Sequence, residues 1–154
     1  MTFFNPLFAT QPRFTLFLLR LVLGFLFFVH GSQLVFGWFG GYGLGGSIGA
    51  FTEKMAIPAF LAYLAVFSQF LGGLALIFGF MTRIAALGIA VDMIVAIFLV
   101  HLPNGLFMNW YGNQKGEGFE YHLLAVATAL TLVIAGGGIL SIDRAMAAPR
   151  EGYR

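Results

Sequence analysis

The side chains of this sequence that could do chemistry include a group of histidines with polar neighbours. His30 and Gln33 lie three positions apart, His101 closes a long apolar run, and Glu120 and His122 lie at the start of another. Imidazole and carboxylate groups at one depth can hydrogen-bond a quinone carbonyl and move its protons. We therefore predict that these five residues form a cofactor site, with quinone as the first choice of ligand.

Other interpretations of the same side chains stay open. His30 and His101 could in principle ligate haem from two helices, but neither lies in a haem-attachment motif, so haem ranks below quinone. The spacings His-x-x-His and His-Glu-x-x-His do not occur, and we predict no metal. Glu120 and His122 are two positions apart and must point in different directions, so at most one of them needs to enter a common site. All of these groups could also be hydrated ends of helices without any ligand.

A second polar group lies deeper in the apolar runs. Counted along helices from the expected inner ends, Arg20 lies roughly 10 Å in, Asp92 roughly 13 Å and Gln69 roughly 16 Å. We predict an intramembrane cluster in which Arg20 pairs with Asp92 and Gln69 hydrogen-bonds nearby. Such a cluster either marks a functional site or fixes the register of the helices.

The composition requires that these side chains be positioned by membrane helices. Of 154 residues, 60% are apolar and only 9% are charged, and the mean hydropathy is +0.92, whereas soluble domains carry about a quarter charged residues. Four apolar runs, at 14–36, 58–80, 83–103 and 119–140, are long enough to cross a hydrocarbon core of about 30 Å. We predict one all-α domain over residues 1–154, an integral membrane bundle of four helices. No cysteine is present, which excludes disulfides and thiolate metal sites.

The distribution of basic residues predicts the orientation. Lys54 and Lys115 lie at one set of helix ends, and six arginines lie at the other: Arg13, Arg20, Arg83, Arg144, Arg150 and Arg154. Positive residues favour the cytoplasmic side, so both termini are expected inside and the protein in the inner (plasma) membrane. The expected partners are the lipid bilayer and either a larger redox complex or further copies of the chain. No basic stripe indicates nucleic acid.

Aromatic residues near the predicted ends of the helices fit interfacial anchors. They are Phe3, Phe4 and Phe8 before the first run, and Trp38, Phe39, Trp110 and Tyr111 after the first and third. At the inner end, Ser141 or Asp143 is expected to cap a short helix through Ala148.

A glycine-rich stretch from 37 to 49, GWFGGYGLGGSIG, matches the spacing of the dinucleotide fingerprint at Gly41, Gly43 and Gly46. That fingerprint needs a preceding strand and a following helix in a βαβ unit. Here a membrane helix comes first. We therefore predict no nucleotide, and a compact turn or short re-entrant segment instead.

Small residues recur at helical spacing in three of the runs, which is typical of membrane helices that pack closely. They are Gly24 and Gly31 in the first, Gly72, Gly73 and Gly79 in the second, and Ala125, Ala129 and Gly136 in the fourth.

A series of short motifs along almost the whole chain resembles the DoxX family of small four-helix membrane proteins. The motifs are Arg20-Leu21-x-x-Gly24 with His30-Gly31, Phe36-Gly-x-x-Gly40-Gly41, Phe51-x-x-x-Met55-x-Ile57-Pro58, Gly72-Gly73-x-x-Leu76-x-x-Gly79-x-x-Thr82-Arg83, His101, Glu120 and Leu140-Ser141-Ile142-Asp143.

The resemblance implies a membrane bundle and a link to redox chemistry. The family takes its name from a subunit of a thiosulfate:quinone oxidoreductase, and most members have no assigned activity. Gln69 stands where the family commonly has Glu, and Gln33 where Lys is frequent. We expect a quinone-linked subunit of an electron-transfer system. The alternatives are a non-catalytic accessory subunit that docks other helices and, ranked last, a small-solute or proton transporter using Arg20 and Asp92.

Overall fold

The computed structural model describes residues 5–147, and every regular element in this range is a helix. Five residues named in the sequence analysis lie outside this range: Phe3, Phe4, Ala148, Arg150 and Arg154. The α-helices are α1 (Asn5–Phe8), α2 (Phe14–Phe36), α3 (Gly43–Gly49), α4 (Ala59–Phe78), α5 (Thr82–Ala96), α6 (Glu120–Ala135) and α7 (Ile142–Ala147). The connections contain two short 3-10 turns, at Trp38–Gly40 and Leu102–Asn104. They also contain two π-helical turns, at Ala50–Lys54 and Ile97–His101. The all-helical prediction is confirmed.

Glycine and proline set the bounds of the long helices. α2 ends where Gly37 takes a left-handed conformation (φ 73°) and donates its N–H to the Gln33 carbonyl. α4 begins after Pro58 and ends at Gly79 (φ 67°), where the N–H of Phe80 reaches back to Ala75. Proline suits the start of a helix because it lacks an N–H, and glycine suits the end because it has no Cβ.

Three apolar segments are long enough to cross a membrane: Phe14–Phe36, Ala59–Phe78 and Thr82–Asn104. They agree closely with the first three predicted runs. The fourth helix, α6, has only 16 residues. It ends at Ala135 instead of near 140, because Gly136 and Gly138 both have positive φ and turn the chain away from the helix axis.

The long helices pack in the order α2, α4, α5 and α6, with the most extensive contact between α2 and α4 and a much weaker one between α6 and α2. We call the end where α2 begins and α4 ends the arginine end, and the opposite end the histidine end. The core between the helices is apolar and includes Phe27, Leu76, Ile89 and Leu132.

Glycines bring α2 and α4 into backbone contact. A Cβ placed on Gly73 would lie 2.3 Å from the backbone nitrogen of Phe28, and one on Gly31 would lie 2.4 Å from the Cα of Phe70. No side chain fits at such distances. The glycine stripe in these two helices is therefore a packing surface, as small residues are in many membrane helices.

We expect Gly73→Ala to lower the stability of the protein by about 1–3 kcal/mol, because the added methyl group forces two backbones apart. Gly45→Ala is the matched control, since a Cβ at Gly45 meets nothing within 4 Å. Thermal unfolding of the purified protein in detergent measures both. Equal melting temperatures for the two variants would contradict the packing role.

Candidate functional site

The histidine end brings two imidazole rings together. His101 ends the π-helical turn that follows α5, and His122 lies in the first turn of α6. Their ring centroids are 3.9 Å apart and the rings are inclined by 39°. Because π-helical turns inside helices occur frequently at functional sites, this geometry draws attention to the pair.

The hydrogen bonds of the pair are incomplete. His101 Nδ1 donates to the backbone carbonyl of Glu117 at 2.8 Å, which leaves its Nε2 as the acceptor of the neutral ring. His122 is 7% exposed, and its Nδ1 is buried without a hydrogen-bond partner among the described residues. Leaving a buried polar group unpaired costs about 1–3 kcal/mol. His122 is therefore a candidate for contact with a ligand.

Tyr121 adds a third polar group that the sequence analysis did not select. Its ring meets His122 edge to face, with centroids 5.4 Å apart, and its hydroxyl is buried without a partner in the part of the chain described. The ring also packs against the apolar core. The signal in the sequence is its place between two selected residues, Glu120 and His122, but an aromatic residue at the start of a membrane helix is too common to indicate a site by itself.

Glu120 binds the loop that connects α5 to α6. Its Oε1 accepts the backbone N–H of Met108 at 3.0 Å and the indole N–H of Trp110 at 2.9 Å. Glu117 accepts the N–H of Asn109 at 2.7 Å. Of the neighbours Glu120 and His122, it is His122 that faces the other histidine. The carboxylates organise the loop that connects α5 to α6.

His30 and Gln33 form a separate pair on α2. His30 Nδ1 and Gln33 Oε1 are 3.1 Å apart, and Gln33 Nε2 donates to the Phe39 carbonyl at 3.5 Å. Gly41 of the glycine-rich stretch lies against the backbone of Gln33, where a Cβ would come within 2.3 Å of its carbonyl oxygen. The stretch is folded into short helical turns and covers this face of α2.

The predicted ion pair of Arg20 and Asp92 is wrong. Asp92 Oδ2 instead accepts a hydrogen bond from Gln69 Nε2 at 2.8 Å. The reason is the direction of the arginine side chain. Side chains on a helix lean toward its N-terminus, so Arg20 on α2 reaches the arginine end and leaves Asp92 behind.

Arg20 is fully buried and donates to four backbone carbonyls. Two of them, Leu76 at 2.6 Å and Ile77 at 2.7 Å, belong to the last turn of α4. The other two, Gly137 and Leu140, lie 3.0 Å away in the turn after α6. A cation at the C-terminal end of a helix is stabilised by carbonyls that have no partner in the helix.

Asp143 has a role that the sequence analysis did not assign. Its two carboxylate oxygens accept the N–H groups of Met81 and Thr82, at 2.7 and 2.8 Å, and so cap the start of α5. Ser141, the other candidate cap, accepts the N–H of Arg144 at the start of α7. Ala148, the expected end of this short helix, lies outside the described residues. Asp143 thus ties the segment after α6 to the turn between α4 and α5.

A sequence profile of the DoxX family matches residues 15–102. The chain belongs to the DoxX family. It is 36% identical over 126 residues to a protein of Bacillus subtilis named "Putative oxidoreductase CatD", with 82% of each chain covered. It is also 35% identical over 94 residues to "Inner membrane protein YqjF" of Escherichia coli, which covers 61% of this chain and 68% of that one. No solved structure matches the chain significantly.

The family, the relatives and the apolar helices together establish where the protein is located in the cell. This DoxX-family chain is a multi-pass protein of the inner membrane. Arg20 and Asp92 therefore lie within membrane-spanning segments, where an ionisable group needs partners.

We expect Arg20→Met to destabilise the protein by at least about 2 kcal/mol, because four buried carbonyls lose a charged donor. Arg20→Lys should recover only part of this loss, since an ammonium lacks the planar fork of a guanidinium. Arg13→Met, at an exposed position just before α2, is the control and should stay within about 0.5 kcal/mol of the unchanged protein. Melting temperatures in detergent report all three. A stable Arg20→Met variant would show that the carbonyls do not depend on Arg20.

Proposed function

We propose that this DoxX-family protein is a redox-associated membrane protein that binds a quinone head group at the histidine end. The proposed site consists of His101, Tyr121 and His122. The observation that carries the proposal is the buried, unpartnered Nδ1 of His122 beside a second imidazole.

The chemistry of the three groups fits a quinone. Each quinone carbonyl accepts a hydrogen bond, and the Tyr121 hydroxyl and a protonated imidazole nitrogen are suitable donors. A bound quinone supplies two-electron chemistry coupled to proton uptake. The histidines hold and pass protons: His101 is kept in one tautomer by its bond to the Glu117 carbonyl, and His122 keeps Nδ1 available.

The surroundings of the site support a lipophilic ligand. His122 and Tyr121 lie in the first turn of α6, the helix that makes only weak contact with α2. Ligand sites of helical bundles commonly lie between helices, and in a membrane protein such a site can receive a molecule dissolved in the bilayer. The His30 and Gln33 pair on α2 borders the same end of the bundle and is the next candidate to contact a head group.

The spacing of the rings disfavours haem at this pair. Two imidazoles that held one haem iron would coordinate it end-on from opposite sides. With metal–nitrogen bonds of about 2 Å each, the two nitrogens alone would be about 4 Å apart and the ring centroids farther still. The centroids of His101 and His122 are 3.9 Å apart.

We propose that a partner protein exchanges the electrons. The chain has no cysteine, and no group of three or more His, Asp or Glu residues in the described range is arranged to hold a metal ion. The name of the Bacillus subtilis relative, an oxidoreductase, supports a redox setting. Exposed apolar side chains on the membrane helices offer surface for another membrane subunit or for a second copy.

We expect Tyr121→Phe to weaken binding of a short-chain quinone by up to about tenfold, the value of one hydrogen bond. His122→Phe should abolish it. Tyr63→Phe is the matched control, because Tyr63 on α4 is 44% exposed and is not one of the proposed donors. The measurements are a titration with a soluble quinone analogue and the quinone content of the purified protein.

Stability separates a ligand site from ordinary packing. If His122 is unpaired in the ligand-free protein, His122→Phe removes a buried polar group and should unfold at an equal or higher temperature. Unchanged quinone binding by His122→Phe would overturn the proposed site. Loss of stability without any change in binding would make His122 a packing residue.

We also propose that α6 crosses the membrane as a fourth helix and that both termini face the cytoplasm. Because the chain has no cysteine, single substitutions report sidedness directly. Lys115→Cys at the histidine end should react with an impermeant maleimide added outside intact spheroplasts, and Arg144→Cys should react only after the cells are opened. The opposite pattern would invert the topology, and equal labelling of both from outside would exclude four spans.

A further inference from the structure

Asp92 lies near the middle of the membrane. It is about ten residues from the start of α5, and Gln69 is about nine residues from the end of α4. At about 1.5 Å per residue, both lie roughly 15 Å from the arginine end, half-way through a hydrocarbon core of about 30 Å. The 2.8 Å hydrogen bond between them joins α4 and α5 at this depth.

The only side chain that hydrogen-bonds Asp92 in the described part of the chain is the neutral amide of Gln69. Arg20 is held by four carbonyls, and Arg83 donates to the carbonyls of Ala9, Val133 and Ile134. The remaining titratable groups on the elements around α5 are Tyr63 on α4, His30 on α2, Glu120, Tyr121 and His122 on α6, His101, and Asp143 and Arg144 on α7 at the arginine end.

An ionised carboxylate in this place would be expensive. An aspartate at the centre of a membrane helix costs about 2.5–3.5 kcal/mol on the biological insertion scale, and a neutral acid avoids most of that cost. The Gln69 amide donates to Oδ2, so Oδ1 can carry the proton of the neutral acid.

The pair is also within reach of the bilayer. Asp92 and Gln69 are both only half-buried. An apolar groove of about 650 Å³ between α4 and α5 ends near the pair, at Ser68 and Gly88, although neither Gln69 nor Asp92 lines it. Because Asp92 keeps part of its own surface exposed, small lipophilic molecules can approach this carboxyl from the hydrocarbon.

We propose that Asp92 is a proton-binding site at the middle of the membrane, positioned by Gln69 and partly exposed to the bilayer. The site is separate from the quinone site and does not depend on it. Its ligand is a proton, held on Asp92 Oδ1 while Oδ2 accepts the Gln69 amide.

Infrared spectroscopy of the protein in lipid vesicles at neutral pH tests the proton directly. The unchanged protein should show the C=O stretch of a protonated carboxyl, Asp92→Asn should lack it, and the band should shift in D₂O as the proton exchanges. Asp92→Asn keeps a hydrogen-bonding side chain against Gln69, so its fold can be verified by its melting temperature. Absence of the band means an ionised Asp92 held by a cation of another chain, and this overturns the proposal. A band that does not shift in D₂O overturns proton exchange.

A lipophilic carbodiimide tests access from the bilayer. The acid adds across a C=N bond of the reagent: an Asp92 oxygen bonds to the carbodiimide carbon, the acid proton moves to nitrogen, and the acyl group then migrates to nitrogen as a stable N-acylurea. Mass spectrometry should find one reagent on Asp92 and none on Asp143, which is also buried but binds two N–H groups as a carboxylate. Equal labelling of both, or labelling of Asp143 alone, contradicts the proposal.

Discussion

One buried guanidinium holds the arginine end together. Arg20 must place its donors on acceptors because water does not reach it, and backbone carbonyls left over at the ends of helices are the acceptors that the bundle offers. In satisfying them it draws the last turn of α4 and the glycine turn after α6 to the same point on α2. Gly79 allows this approach, since a Cβ there would lie 2.7 Å from the guanidinium. Asp143, in the segment after this glycine turn, accepts the N–H of Thr82 at the start of α5.

The histidine end is built in a different way. Its loop is organised by Glu117 and Glu120, while His122 and Tyr121 keep polar atoms buried without partners among the described residues. Buried polar atoms are rarely left unpaired, and the third such atom in the described range is Thr82 Oγ1 at the arginine end. The arginine end fixes the helices, and we propose that the histidine end holds the ligand.

Much of this architecture could be predicted from the sequence, because the membrane permits few alternatives. Apolar length gave the first three spans nearly to the residue, and the glycine stripe indicated where α2 and α4 meet. The end of α6 was harder to predict, since membrane helices often contain glycine and the sequence alone did not show that Gly136 and Gly138 end the helix. The prediction of an Arg20–Asp92 ion pair was wrong because counting residues along a helix gives the depth of the Cα atom. The charged group of a long side chain can lie several ångströms away from that depth. The capping role of Asp143 depends on a partner about sixty residues away, and no local pattern shows it.

The π-helical turn at Ile97–His101 decides the direction in which His101 points. A π turn accommodates one more residue than the corresponding turn of an α-helix. If the same residues were wound as a regular α-helix, this extra residue would rotate everything beyond it by about 100°. His101 would then leave the face of His122, although every side chain of the site would still be present in the sequence. The site is thus encoded by the winding of a short backbone segment as much as by the identity of its histidines.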